Sequence, residues 1–107
     1  MSRIILSRYR SGQEHVVVGW DHPCGGAFYT EFNQEPVDGV YPDDFEEVAR
    51  EGGFFLGIPL AQFEQAVPED LRPLVTDEVM ALLAEHEADP DPGYHRPPID
   101  LSERARA

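Results

Sequence analysis

Residues 15–32 read HVVVGWDHPCGGAFYTEF and contain two strand patterns separated by a turn. Valine and aromatic side chains dominate both patterns, and such residues favour the pleated, half-buried surface of a sheet. Upstream, RIILSRYR at residues 3–10 predicts another strand, joined to the next by a turn that contains Gly12. Because strands close in sequence usually pair directly, we expect a three-stranded antiparallel meander over residues 3–33.

The segment DHPCGG, residues 21–26, has two interpretations. Its proline and paired glycines are turn residues, since proline fixes one backbone dihedral and glycine tolerates positive φ. Alternatively, Cys24 is a nucleophile with His22 as its base and Asp21 beside them. Such groups normally converge from separate chain segments, which favours the turn. The alternative, a small enzyme or ligand-binding module using the Asp21–Gly26 loop, would take its pocket walls from aromatic residues: Trp20, Tyr29 and Tyr41.

The stretch VVVGWDHPCGGAFY, residues 16–29, resembles a motif of uncharacterised small bacterial proteins. In that motif a hydrophobic strand is followed by a Gly-Trp-Asp-x-Pro turn and then by small and aromatic residues. The resemblance covers roughly residues 3–32. It implies no activity, and a cysteine is not expected at the position of Cys24 in such proteins.

After the strands, the sequence changes to helical patterns. Acidic residues that follow a proline and precede a glycine pair predict a short acidic helix, roughly residues 43–51. PLAQFEQAV, residues 59–67, spaces apolar side chains along one stripe. TDEVMALLAEHEA predicts the clearest helix, with Thr76 as its N-cap. We therefore expect a single α+β domain over residues 1–88, in which two or three helices cover one face of the sheet.

Three other stretches have weaker patterns. FFLGI, residues 54–58, is either a buried strand or a core-packed link, because its length suits both. PEDLRPLV, residues 68–75, predicts a helical turn or linker, since its second proline would break a longer helix. Residues 89–107 are rich in proline and lack periodicity, and they predict an extended or flexible tail.

Composition excludes several classes of protein. No apolar run approaches the roughly 20 residues that a membrane helix needs, so a cytoplasmic protein is expected. A lone cysteine, Cys24, cannot form an internal disulfide. The pair His22-x-Cys24 and three scattered histidines do not make a zinc site, and no calcium loop is present. We expect no cofactor, no metal and no enzyme activity.

Charge is the most unusual property of the chain. It holds 21 acidic residues against eight arginines and no lysine, a net charge of −13. Residues 31–91 hold 17 of the acids and only Arg50 and Arg72, a net charge of −15. Direct nucleic-acid binding is disfavoured, because it depends on basic side chains that displace counterions. A basic protein surface is the expected partner.

The simplest interpretation of the acidic region is a solvated surface that serves solubility. The functional hypothesis is a small protein-binding module or inhibitor whose carboxylates imitate the spacing of phosphates. It would dock on a basic surface of a nucleic-acid-binding protein and block it, as anti-defence (anti-CRISPR or anti-restriction) proteins do. The oligomeric state is not predicted. The residues expected to bind the partner are Asp38, Asp43, Asp44, Glu46, Glu47, Glu51, Asp77, Glu78 and Glu85.

Overall fold

The computed structural model describes residues 2–34, 48–89 and 97–102. They form an α+β fold in which two α-helices lie on one face of a five-stranded mixed sheet. The strands are β1 (Ile4–Arg8), β2 (Glu14–Asp21), β3 (Gly26–Phe32), β4 (Val48–Gly52) and β5 (Ile99–Asp100). The helices are α1 (Leu60–Ala66) and α2 (Asp77–Ala88), with a 3₁₀ helix at Arg72–Leu74 between them.

The strand order across the sheet is β4-β3-β2-β1-β5. Neighbouring strands are antiparallel except β1 and β5, which are parallel. The predicted α+β class is confirmed, and β1, β2 and β3 pair as consecutive antiparallel strands. The expectation of a three-stranded sheet needs correction, because β4 and β5 add one strand at each side.

Strand β4 corrects the helix predicted at residues 43–51. Residues 48–51 are extended and pair with β3, with Arg50 opposite Glu31 and Glu51 opposite Thr30. Residues 43–47 of that prediction lie outside the described residues. The helical prediction used only neighbouring residues. In the extended conformation, β4 instead gains backbone pairing with β3 and the ion pair between Arg50 and Glu31. Tertiary context of this kind commonly overrides propensity.

Strand β5 lies within the segment predicted as a tail. The backbone N–H groups of Ile99 and Leu101 donate to the carbonyl groups of Arg3 and Ile5, each at 2.9 Å. Two residues are too few to show the alternation of a strand, so the sequence did not predict this pairing. The division at residue 88 and the nature of the whole segment 89–107 stay predictions.

The core lies between the sheet and the helices. Apolar side chains of β1, β2 and β3 form one layer: Ile4, Leu6, Val16, Val18, Trp20 and Ala27. Apolar side chains from α1 to α2 form the other: Phe63, Val67, Leu71, Val75, Val79 and Leu83. Strand alternation and helical periodicity each put their apolar residues on one face, which is why the two layers meet.

The ends of the helical segments follow local chemistry. The Thr76 hydroxyl accepts a hydrogen bond from the Val79 N–H at 3.4 Å, so the predicted N-cap of α2 is confirmed.

Residues 53–56 form a bend, and Ile58 makes an isolated antiparallel bridge with Ala27. FFLGI is therefore a link. In the described ranges, no helix has the length and apolar character needed to cross a membrane.

Candidate functional site

The helical layer, residues 60–89, carries most of the described negative charge. It contains eight acidic residues against one arginine, Arg72, which leaves a net charge of −7. Seven of the eight acids are exposed, and Asp89 is partly buried. Because α1 and α2 turn their apolar residues towards the sheet, the carboxylates of these two helices lie on the outer side of the layer.

Three of the predicted partner-binding residues lie together on α2. Asp77, Glu78 and Glu85 are exposed, whereas Val79 and Leu83 face the core. At about 100° per residue, the three acids fall within about 100° of one another around the helix. Asp77 and Glu85 are separated by about 12 Å along the axis, at 1.5 Å per residue. The structure thus arranges these carboxylates as a row along one exposed face.

Acids at the two ends of α2 have opposite effects on the helix. Asp77 and Glu78 lie in the first turn, where the partial positive charge of the helix N-terminus favours them. Glu85 and Glu87 lie in the last turn, where the helix dipole disfavours negative charge. Helix stability therefore explains the first pair of acids but not the second.

The other predicted partner-binding residues are not part of this row. Glu51 is exposed on β4, on the sheet rather than in the helical layer. The remaining five lie outside the described residues: Asp38, Asp43, Asp44, Glu46 and Glu47.

Arginines in the sheet are engaged in ion pairs. Arg3 pairs with Glu14, and Arg8 binds Asp100 at 3.0 Å. Both pairs join elements of the sheet or its flanks. Arg72, in the helical layer, instead donates to two backbone carbonyl groups, those of Val67 and Gln65, each at 3.0 Å.

Arg50 joins the sheet to the helical layer by binding two carboxylates. Its guanidinium contacts both oxygens of Glu31, at 2.7 and 3.1 Å, and both oxygens of Asp70, at 2.9 and 2.7 Å. Hydrogen bonds from Arg50 lower the pKa of Glu31 and of Asp70, against the opposing effect of desolvation. His15 Nε2, 3.1 Å from Glu31, lowers the Glu31 pKa further.

These shifts predict an acid-dependent contribution to stability. Since both carboxyl pKa values are lower in the folded than in the unfolded chain, the pairs stabilise the fold above the ordinary carboxyl pKa of about 4. This stability is lost as the pH falls through the folded-state values. The difference in unfolding free energy between wild type and Arg50→Gln should therefore be largest at neutral pH and shrink below about pH 4. Urea unfolding across this pH range measures it.

Arg72→Gln is the matched control for this experiment. It removes the same charge, but Arg72 binds backbone carbonyl groups, which do not titrate. Its effect on unfolding free energy should vary much less across the same pH range. If the loss of unfolding free energy caused by Arg50→Gln stayed constant down to pH 3, the stability could not come from the ion pairs of Arg50.

The loop at residues 21–26 forms the turn between β2 and β3, named here the hairpin turn. Gly25 has a φ of 72°, and its N–H donates to the Asp21 carbonyl at 2.9 Å. The Cys24 thiol donates to the Phe54 carbonyl at 3.2 Å, and His22 Nε2 lies 3.1 Å from the His86 carbonyl. Both side chains therefore connect the turn to neighbouring elements.

The chemistry of Cys24 does not favour a nucleophile. Hydrogen bonding with Asp21, then burial and the negative charge of Asp21, raise the pKa of the thiol. A raised pKa disfavours the reactive thiolate at neutral pH. Within residues 2–34, 48–89 and 97–102, no group of three His, Cys, Asp or Glu side chains is arranged to hold a metal ion.

One exposed feature was missed by the sequence interpretation. FFLGI was expected to be buried, but Phe55 and Leu56 are exposed at the tip of the loop between β4 and α1. The signal that could have identified them is the glycines that flank the segment, Gly53 and Gly57, since closely spaced glycines are typical of loops.

The fold and the surface define a small α+β protein with an acidic helical layer and an apolar loop tip. Comparisons of the chain with protein-family models, with curated proteins and with solved structures give no match. Its function is therefore inferred from the residues and their geometry.

Proposed function

We propose that this chain is a small acidic protein-binding module that docks through its helical layer on a basic surface of a partner. The partner is a nucleic-acid-binding protein, and docking blocks its nucleic-acid site, in the manner of anti-defence proteins. The observation that supports the proposal is the net charge of −7 on residues 60–89, seven of whose eight acids are exposed. One of these seven, Asp70, is paired with Arg50 of β4.

The cost of this charge argues for a partner. Like charges on one layer repel and destabilise the compact state. Glu85 and Glu87 add to that cost, because they oppose the dipole of α2. A basic surface offsets the repulsion in the complex, and a groove that binds nucleic acid already has cations spaced to receive a row of anions.

Affinity purification from the native host tests the proposal. The chain should retain a basic partner at about 0.05 M salt and lose it at about 0.5 M, since added salt screens charge-driven binding. The purified partner should release its nucleic acid when the chain is added. Retention of no protein at low salt, or a partner whose affinity does not depend on salt, would contradict the proposal.

Variants of α2 test which carboxylates contribute. Asp77→Asn with Glu85→Gln removes two charges from the row, and we expect the Kd for the purified partner to rise about 3- to 30-fold at low salt. The slope of log Kd against log salt concentration should also fall. Calorimetric titration at several salt concentrations measures both quantities.

Glu64→Gln with Glu87→Gln is the matched control, because it removes two charges from other positions of the helical layer. At 100° per residue, Glu87 lies about 160° around α2 from Glu85 and about 80° from Asp77. The control should change Kd less than the first pair. Equal effects of the two double variants would show that total charge, not the row on α2, determines binding.

A further inference from the structure

The loop between β4 and α1 presents two adjacent apolar side chains to solvent. Phe55 is 98% exposed and Leu56 is 85% exposed. Single exposed apolar residues are common on proteins, but contiguous apolar groups at the surface mark interaction sites. Phe55 and Leu56 are named here the apolar tip.

Backbone contacts fix the C-terminal side of this loop. The Gly57 N–H donates to the Cys24 carbonyl at 3.0 Å. Ala27 and Ile58 exchange two backbone hydrogen bonds, each 2.9 Å long. The loop is thus held against the hairpin turn and the first residues of β3.

Side-chain contacts fix its N-terminal side. The centroids of the Phe54 and Phe28 rings lie 5.1 Å apart, and the Phe54 carbonyl accepts a hydrogen bond from the Cys24 thiol. Gly53 has a φ of 93°, and a Cβ there would lie 2.3 Å from the Ala27 carbonyl oxygen. With both ends attached, the apolar tip projects from a preorganised loop, which lowers the entropy that binding would cost.

Glu51 lies beside the apolar tip, and the hairpin turn connects the loop to α2. Glu51 is exposed and lines one shallow concave surface with Phe54, Phe55 and Leu56. The hairpin turn, which contacts the loop, also contacts the C-terminal end of α2 through His22 and the His86 carbonyl. Glu85 and Glu87 flank His86 in sequence and are exposed.

We infer that the apolar tip is the anchor of the docking surface, and that it inserts into an apolar pocket edged by arginine or lysine on the partner. This inference rests on the proposed function. Protein interfaces concentrate their binding energy in a few central side chains that fill pockets, surrounded by a polar rim. Here Glu51 supplies negative rim charge, and an arginine at the pocket edge could also stack on the Phe55 ring.

Charge favours a basic protein over two alternative partners of the apolar tip, a second copy of the chain and a membrane. A second copy of the chain would bring together two chains of net charge −13, and like charges across an interface are unfavourable. A membrane with anionic headgroups would repel a chain of net charge −13. A basic protein surface is the complement of the charge found beside the apolar tip.

Titration of the variants with the purified partner tests the anchor. Phe55→Ala with Leu56→Ala should raise Kd at least about 30-fold at every salt concentration at which the wild-type Kd is measurable, as expected for an anchor residue pair. The slope of log Kd against log salt concentration should stay unchanged, because no charge is removed. Phe55→Trp should bind like wild type, and Gln62→Ala, at an exposed position of α1, is the control. Thermal unfolding checks that the variants fold.

Failure of the anchor and failure of the proposed function give different results. An unchanged Kd for the double alanine variant, with a partner whose binding depends on salt, would overturn the anchor alone. Retention of no partner at low salt would overturn both. Sedimentation showing a wild-type dimer that the double variant dissociates would assign the tip to a second copy. Flotation with phosphatidylcholine vesicles that the variant abolishes would assign it to a membrane. Either result would overturn the inference.

Discussion

Phe63→Ala is expected to reduce the unfolding free energy by about 3–5 kcal/mol, the cost of truncating a fully buried aromatic side chain. Phe63 is 0% exposed and is the largest of the fully buried side chains in the described part of the chain. It extends from α1 into the core formed with β1 and β2, so its removal leaves a cavity between the two layers. Small domains are stable by only about 5–15 kcal/mol, so this loss is a large fraction of the total and should lower the urea midpoint.

Urea unfolding followed by circular dichroism measures this loss. Phe55→Ala is a matched control, because it makes the same chemical change where the ring is 98% exposed, and it should leave the unfolding free energy nearly unchanged. Phe63→Leu, which keeps most of the volume, should cost less than Phe63→Ala. A Phe63→Ala cost below about 1 kcal/mol would mean that the helices do not pack on the sheet as described.

Periodicity explains which parts of the fold the sequence could predict. Phe63, Val67, Val79 and Leu83 recur at helical spacing, and the structure buries all four against the sheet. The alternating valines of β2 give an equally local signal. Such patterns depend only on residues a few positions apart, which is why both helices and the three-stranded meander were predictable.

The elements that were missed depend on distant residues. Strand β4 forms because β3 offers an open side, and β5 forms because β1 does. Neither partner is visible within the sequence window of the strand itself. The apolar pair Phe55–Leu56 was expected to be buried from its hydrophobicity alone, although the flanking Gly53 and Gly57 are a local signal of a loop.

The candidate site could be predicted only in part. Charge counting predicted Asp77, Glu78 and Glu85 as partner-binding residues, which stays a prediction, and the structure places all three at exposed positions of α2. The ion pairs of Arg50 with Glu31 and Asp70 could not be predicted, because they join three elements that are distant in sequence.

Gly57→Ala is expected to reduce the unfolding free energy by about 3 kcal/mol, at the upper end of the usual cost of overpacking. A Cβ on Gly57 would lie 2.1 Å from the Gly26 nitrogen and 2.3 Å from the Gly26 Cα. Both are backbone atoms at the start of β3, so relief of the clash requires the loop and the hairpin turn to separate. Separation would weaken the hydrogen bond from the Gly57 N–H to the Cys24 carbonyl.

Gly12→Ala separates this steric cost from the cost of backbone conformation. Gly12 has a φ of 94° and no atom within 4 Å of an added Cβ, so alanine there should cost only the left-handed strain of about 1–2 kcal/mol. Gly57 is not among the glycines with positive φ, so its cost comes from the contact with Gly26. Because the apolar tip depends on this contact, Gly57→Ala should also raise Kd for the partner, whereas Gly12→Ala should not. Equal losses of stability in the two variants would show that close packing of the loop on the hairpin turn does not hold the apolar tip in place.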